Sequence, residues 1–346
     1  MIVGGLLGGA ITLGRAISPT IGVIGAVNDT LQYRQANADM VMLATGKYNV
    51  EEGNGDKLLS GKSNILGNAS EESERNNPNL IADALALCAN VYRLGDNKEE
   101  AYHTKSYEKS SENGWIWLED YIKHPDGYSY IPRRITEFLN LIKGLKYIDN
   151  SQMFSTGLVS GVFFQFVNNN VLRIAYVTRG TSQAKDWVHN IKQGWDGKSA
   201  LYEASYNVAK EVNAKIEECI NGIGHLYFFG HSLGGGMANY NAMKLKKKSV
   251  TFNAASVHYN SVMENLDNYQ ELVNSKSMIG IYVKGEVLSL DMSKIAGLPK
   301  NGNRYSVTIE AQNLAKDNAI ERHYLKPLCS QYKLIPMTWN NRDKTI

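Results

Sequence analysis

The sequence "HLYFFGHSLGGGMANYNAMK", residues 225–244, is the most informative part of the chain about its fold. Its first half is apolar and aromatic, which is typical of a buried strand, and after Ser232 small residues and Met recur at helical spacing. Gly230 and Gly234 flank Ser232 in a GxSxG pattern, and because glycine has no Cβ, the strand can fold sharply back into a helix. Such a turn exposes the hydroxyl, and the helix N-terminus behind it favours developing negative charge. We therefore predict Ser232 as a nucleophile; the alternative is a Gly-rich turn with an incidental serine.

Strands and helices alternate around this turn. Two β-rich runs are separated by three consecutive Asn residues, which predicts a hairpin. The predicted strands are residues 157–166, 171–180, 225–229, 249–254 and 278–283, and the predicted helices near them are 202–220 and 261–274. This alternation predicts an α/β fold with a mostly parallel central sheet flanked by helices.

Composition divides the chain into three segments. Residues 1–50 form an apolar, Gly-rich N-terminal extension, in which Arg15 lies in the middle of the apolar run rather than before it. We therefore expect no cleaved signal peptide, and we expect this extension to pack against the domain or a partner, with membrane contact as the alternative. Residues 51–78 are polar and free of aromatic residues, which predicts a linker or loop. Residues 79–346 form the predicted catalytic domain.

Charge and cysteine content exclude several functions. A net charge of +3 is too small to indicate a nucleic-acid surface. The three cysteines, Cys88, Cys219 and Cys329, are widely spaced and form no CxxC pair. We therefore predict no disulfide framework, no metal site and no nucleic-acid partner.

A second motif, "YVTRGTSQAKDW" at residues 176–187, follows a predicted strand. The oxyanion of an acyl-transfer intermediate needs two hydrogen-bond donors. The N–H of Leu233, directly after Ser232, is one candidate, and Thr181, at the end of the earlier strand, is placed to supply the other. The alternative is that the Arg-Gly-Thr sequence only forms a strand-ending turn.

Three motifs, "RGTSQAKDW", "FFGHSLGGGMA" and "VTFNAAS", resemble the class 3 lipases in order and spacing. These are the fungal-lipase-like α/β-hydrolases, and the resemblance covers about residues 79–330. It implies an α/β-hydrolase fold with Ser232 as nucleophile. It also implies that Thr181 and Leu233 form the oxyanion hole.

In this fold the acid and then the histidine follow the nucleophile along the chain. The run "IGIYVKGEVLSLD" ends a predicted strand at Glu286, with Asp291 as the competing acid, since either carboxylate could hold the histidine tautomer. His323, in "AIERHYLKPLC", is the only histidine after both acids. We predict it as the base; the alternative is a surface or core histidine.

These residues predict a serine hydrolase that cleaves carboxylic esters of lipids or phospholipids through an acyl-enzyme, without metal or cofactor. Two alternatives are a soluble small-ester carboxylesterase and a non-catalytic hydrolase-fold module that binds a membrane or a partner. The segments "VKGEVLSL" and "RHYL" resemble bacterial lipase-like effectors, toxins that cut membrane phospholipids of competing cells. That resemblance implies secretion, action at a target membrane, and immunity and secretion-machine partners.

Overall fold

The computed structural model describes residues 53–59, 80–92, 101–103, 114–123, 126, 129, 131–143, 158–167, 171–180, 200–288, 302–332 and 335–337. The predicted N-terminal extension, the oxyanion candidate Thr181 and the alternative acid Asp291 lie outside these residues. Within the described ranges, no helix combines the length and the apolar composition needed to cross a bilayer.

The described part contains ten strands and nine α-helices. The strands are β1 (Gly53–Asn54), β2 (Ala101–His103), β3 (Trp115–Trp117), β4 (Ser160–Val167), β5 (Val171–Thr178), β6 (Gly224–His231), β7 (Lys248–Phe252), β8 (Met278–Val283), β9 (Asn303–Val307) and β10 (Ile335–Met337). The helices are α1 (Gly55–Leu59), α2 (Leu80–Val91), α3 (Leu118–Lys123), α4 (Arg133–Lys143), α5 (Ala200–Cys219), α6 (Leu233–Leu245), α7 (Tyr259–Glu264), α8 (Leu266–Asn274) and α9 (Leu325–Gln331).

Eight of these strands form one sheet in the order β1-β9-β8-β7-β6-β5-β4-β3. All neighbours from β5 to β1 pair in parallel, whereas β3 and β4 add an antiparallel edge. Strands β2 and β10 form a separate antiparallel pair. The prediction of a mostly parallel sheet flanked by helices is confirmed.

Both faces of the sheet are covered because its strands carry apolar side chains at consecutive positions. In β6, Leu226 and Phe228 enter the core on one face, and Tyr227 and Phe229 enter the core on the other. Helices α3 to α8 cover the first face, and α1, α2 and α9 cover the second. Strands buried on both faces are typical of parallel sheets, and only their ends remain available for chemistry.

The predicted hairpin is confirmed, with β4 and β5 pairing antiparallel from Ser160 opposite Thr178 to Val167 opposite Val171. The single helix predicted over 261–274 is wrong, because α7 and α8 are separated at Asn265. The Asn265 side chain donates to the Ser261 carbonyl at 2.8 Å. This bond satisfies a carbonyl at the end of α7.

The predicted loop over residues 51–78 needs correction at residues 53–59. Strand β1 pairs in parallel with β9, and Leu58 and Leu59 of α1 are buried in the core. A Cβ on Gly53 would lie 2.4 Å from the ring of Tyr305, so any larger residue at this edge position would require the ring to shift. A two-residue strand among polar residues has no periodicity to detect, which is why the sequence did not predict it.

Candidate active site

Ser232 lies on the turn between β6 and α6, at the carboxyl edge of the sheet. Its backbone has φ 57° and ψ −128°, a conformation that residues other than glycine rarely adopt. The Ser232 N–H donates to the Phe252 carbonyl at 3.1 Å, and the Ser232 carbonyl accepts from the Ala255 N–H at 2.8 Å. The neighbouring strand β7 and the segment after it therefore stabilise the strained residue.

The glycines of the GxSxG motif allow three backbones to pack together. A Cβ on Gly230 would lie 2.3 Å from the Gly234 oxygen, and a Cβ on Gly234 would lie 2.2 Å from the Thr178 oxygen. These neighbours are main-chain atoms that cannot move aside. The Thr178 hydroxyl also donates to the Gly234 carbonyl at 2.7 Å, so it ties β5 to the first turn of α6.

His323 ends a short 3-10 helix, Glu321–His323, and its ring lies against the nucleophile candidate. The distance from His323 Nε2 to Ser232 Oγ is 2.9 Å. Both residues are buried, with 6% of His323 and 4% of Ser232 exposed. The two side chains are within hydrogen-bond distance although 91 positions separate them in the sequence.

Glu286 follows β8 after a turn at Lys284 and Gly285, and it is fully buried. Its Oε2 lies 2.7 Å from His323 Nδ1 and accepts from the Leu288 N–H at 2.8 Å. An ionised carboxylate only accepts hydrogen bonds, so Nδ1 of His323 donates to it. Nε2 of His323 then carries no hydrogen and can accept the Ser232 hydroxyl proton.

The two oxyanion candidates differ in what the structure describes. Leu233 is the first residue of α6, and the first N–H groups of a helix have no intrahelical acceptor. Thr181 lies outside the described residues, but Gly180 before it is buried. A Cβ on Gly180 would lie 2.9 Å from Ser232 Cβ, so the chain leading to Thr181 packs directly on the nucleophile candidate.

The loops that carry Glu286 and His323 are joined by two further hydrogen bonds. The Val287 N–H donates to the Ala319 carbonyl at 3.2 Å. The Arg322 guanidinium donates from Nη1 to the Lys284 carbonyl at 2.9 Å. These contacts hold the two loops together around the carboxylate–imidazole pair.

Three residues that support this arrangement were missed by sequence reasoning. Asn253 donates from Nδ2 to the His323 carbonyl at 2.9 Å, and its Oδ1 accepts from the Val283 N–H at 2.9 Å. His231 Nε2 lies 2.8 Å from the same His323 carbonyl, and the Tyr92 hydroxyl lies 2.6 Å from His231 Nδ1. His231 and Asn253 stand at the ends of β6 and β7, so their strand-end positions were a usable signal; Tyr92 offered none.

The structure therefore brings Ser232, His323 and Glu286 together and places Leu233 beside them. Among the residues that the structure describes, no group of three or more His, Cys, Asp or Glu is arranged to hold a metal ion. The expectation that no metal or cofactor takes part stays a prediction.

A mostly parallel sheet with a serine on a strained turn between strand and helix places the chain in the α/β-hydrolase class. The profile of the phospholipase-like family described as the Tle-like phospholipase domain matches residues 87–317. That match spans more than half of the chain, so the protein belongs to this family. The predicted resemblance to lipases and phospholipases of this class is confirmed.

A curated relative is extracellular phospholipase A1 from Serratia liquefaciens, which is 35% identical to this chain over 78 residues. The aligned part is 22% of this chain and 23% of the relative. The chain thus matches less than a quarter of that protein's length.

Proposed function

We propose that this protein is a serine hydrolase that cleaves carboxylic ester bonds of lipids, with Ser232 as nucleophile, His323 as base and Glu286 as the orienting acid. The observation that carries the proposal is the unbroken series of contacts from Ser232 Oγ to His323 Nε2 at 2.9 Å and from His323 Nδ1 to Glu286 Oε2 at 2.7 Å. A serine hydroxyl becomes an effective nucleophile when a base lies within hydrogen-bond distance and a third group orients that base.

In the first half of the reaction, His323 Nε2 accepts the Ser232 proton while Oγ attacks the ester carbonyl carbon. The carbonyl oxygen becomes an oxyanion, which the N–H groups of Leu233 and Thr181 stabilise in this proposal. The intermediate collapses, the carbon–oxygen bond to the alcohol breaks, and His323 gives its proton to the leaving oxygen. The acyl group is then esterified to Ser232.

Water completes the cycle. His323 takes a proton from the water as it attacks the acyl carbon, and the second tetrahedral intermediate releases a free fatty acid and regenerates the Ser232 hydroxyl. The Glu286 carboxylate accepts from His323 Nδ1 and stabilises the imidazolium in both halves of the reaction. This chemistry needs no metal ion.

The family description and the name of the relative support phospholipids as the substrate class. We propose cleavage of an acyl ester, which is A-type specificity, because the three side chains are those of acyl transfer. The experiment is lipid mass spectrometry of phosphatidylethanolamine and phosphatidylglycerol vesicles treated with the wild type, Ser232→Ala and Ser275→Ala. Ser275 is the matched control, since it lies before β8 at the opposite edge of the sheet.

The expected products are lysophospholipid and free fatty acid in equal amounts from the wild type and from Ser275→Ala, and none from Ser232→Ala. Release of a phosphorylated headgroup without fatty acid would refute ester cleavage. Hydrolysis of short soluble esters with no action on vesicles would favour the small-ester carboxylesterase instead.

We also propose that the protein acts as an antibacterial effector at a target membrane, with secretion-machine and immunity partners. The support is the resemblance of its loop segments to lipase-like effectors. Expression of the wild type and of Ser232→Ala in a bacterial host tests this. We expect growth arrest by the wild type and normal growth with Ser232→Ala. Each protein is directed once to the cytoplasm and once to the periplasm. Equal growth of the two strains in both compartments would contradict the effector proposal.

A further inference from the structure

The carbonyl oxygen of His323 accepts hydrogen bonds from two side chains. His231 Nε2 lies 2.8 Å from it, and Asn253 Nδ2 lies 2.9 Å from it. The two donors stand at the ends of adjacent strands, β6 and β7. The main chain of His323 is therefore held by the sheet, while its ring faces Ser232 and Glu286.

The hydrogen-bond partners of His231 determine its tautomer. A carbonyl only accepts, so Nε2 of His231 carries the hydrogen, and Nδ1 is left as the acceptor. The Tyr92 hydroxyl, 2.6 Å from Nδ1, is then the donor. The His323 carbonyl thus selects the tautomer of His231, and the Tyr92 hydroxyl satisfies the remaining ring nitrogen.

His231 is uncharged at neutral pH. Burial and then the nearby charge of His323 lower the pKa of His231 to about 3, against the opposing effect of its bond to the His323 carbonyl. The two imidazole ring centroids are only 4.9 Å apart. A neutral His231 can therefore support His323 without repelling the imidazolium that forms there during catalysis.

Tyr92 also lies close to Gly180, which precedes the oxyanion candidate in the sequence. A Cβ on Gly180 would lie 2.7 Å from the Tyr92 hydroxyl and 2.8 Å from the His231 carbonyl. The Tyr92 hydroxyl and the His231 main chain therefore both lie close to Gly180, while the His231 side chain binds the His323 carbonyl.

We propose that Tyr92 and His231 are positioning residues that fix the main chain of the base His323, and so the distance from its ring to Ser232. This inference rests on the proposed function, in which His323 takes the Ser232 proton. The two residues act through the main chain of His323, so we expect their replacement to lower kcat and to leave KM unchanged.

The variants distinguish the effect of the hydrogen bond from the effect of side-chain size. His231→Leu removes this donor and leaves the His323 carbonyl with the Asn253 amide, whereas His231→Gln keeps an N–H that can reach the same carbonyl. We expect His231→Leu to lower kcat about 30-fold and His231→Gln to stay within about threefold of the wild type, because a small displacement of a base has a large kinetic cost. Tyr92→Phe, which removes the hydroxyl that donates to His231 Nδ1 and so loosens the His231 ring, should lower kcat about fivefold.

Tyr269→Phe is the matched control for Tyr92→Phe. Tyr269 is equally buried, and its hydroxyl accepts from the Gly302 N–H, which precedes β9 at the other edge of the sheet. Removing that hydroxyl should leave kcat unchanged.

The measurements are kcat and KM on a soluble p-nitrophenyl ester, the rate of labelling by a fluorophosphonate probe, and the thermal unfolding midpoint of every variant. The expected result is a lower kcat and slower labelling with unchanged KM in His231→Leu, restored in His231→Gln. Wild-type kcat in His231→Leu, or a His231→Gln as slow as His231→Leu, overturns the proposal. If His231→Leu does not fold, the test is made with Tyr92→Phe. Reduced kcat with unchanged KM then supports the proposal, and wild-type kcat overturns it.

Failure of the proposed function would give a different result, because the wild type itself would then not be labelled by the probe.

Discussion

The proposed nucleophile and its two proposed partners are held in place by different means. Ser232 sits on a turn fixed by main-chain packing, in which a Cβ on Gly230 or Gly234 would overlap a backbone oxygen. Glu286 and His323 lie on loops fixed by hydrogen bonds, such as those from Leu288 and Asn253. The turn is therefore a property of a few neighbouring residues, whereas the loops depend on contacts between distant parts of the chain.

The largest expected effect is on kcat, from a substitution at Glu286 on one of the two loops. Glu286→Gln keeps the size of the side chain but removes the charge that stabilises the imidazolium of His323, so kcat on a soluble ester should fall about 10³-fold, equivalent to about 4 kcal/mol. Asp291→Asn, at the competing acid, should change kcat less than about twofold. A larger loss in Asp291→Asn than in Glu286→Gln would assign the acid to Asp291.

Next comes the turn itself. Gly234→Ala places a methyl group 2.2 Å from the Thr178 carbonyl oxygen, so the free energy of unfolding should fall by about 3 kcal/mol. Urea unfolding followed by circular dichroism measures this. Gly222→Ala is the control, because it has φ 81° but nothing within 4 Å of the added Cβ, and should cost about 1 kcal/mol. Equal losses of unfolding free energy in Gly234→Ala and Gly222→Ala would show that close packing does not define the turn.

A smaller effect concerns His231, which binds the His323 carbonyl, and the pH dependence of the free energy of unfolding. The pKa of His231 is lowered to about 3 by burial, against about 6.5 in the unfolded chain, so between these values only the unfolded chain binds the proton. Stability is therefore lost as the pH falls, by about 2 kcal/mol from pH 7 to pH 5. Urea unfolding at both pH values should show a loss smaller by this amount in His231→Gln. Identical losses in the two proteins would contradict a neutral buried His231.

The smallest effect tests the tie between β5 and α6. Thr178→Val keeps the shape of the side chain but removes its hydrogen bond to the Gly234 carbonyl, so the free energy of unfolding should fall by about 1 kcal/mol. Urea unfolding measures this too. A loss as large as that of Gly234→Ala would mean that the hydroxyl, and not the absence of a Cβ, holds the turn.

The contrast between turn and loops explains how much could be predicted from the sequence. Ser232 and its strand–helix context were predictable because glycine spacing and hydrophobic periodicity are local signals. His323 was predictable by its order in the chain. The choice between Glu286 and Asp291 stayed open in the sequence, because no local sequence pattern shows which carboxylate lies close to the His323 imidazole.

The supporting contacts were harder to predict. Tyr92 comes 139 positions before His231, and no spacing rule connects a helix end to a strand end over that distance. Strand β1 was missed for a related reason, since two residues have no period and their pairing with β9 is set by tertiary contacts. Asn253 stands inside a motif, but its bonds to His323 and Val283 depend on how β7 lies beside β8.

In the proposed mechanism, His323 activates Ser232 for acyl transfer. The decisive measurement is fluorophosphonate labelling followed by peptide mass spectrometry on the wild type, Ser232→Ala and His323→Ala. We predict one adduct, on the Ser232 peptide of the wild type, with no labelling in Ser232→Ala and labelling slowed at least about 10³-fold in His323→Ala. An adduct on another serine, or labelling of His323→Ala at the wild-type rate, would contradict it.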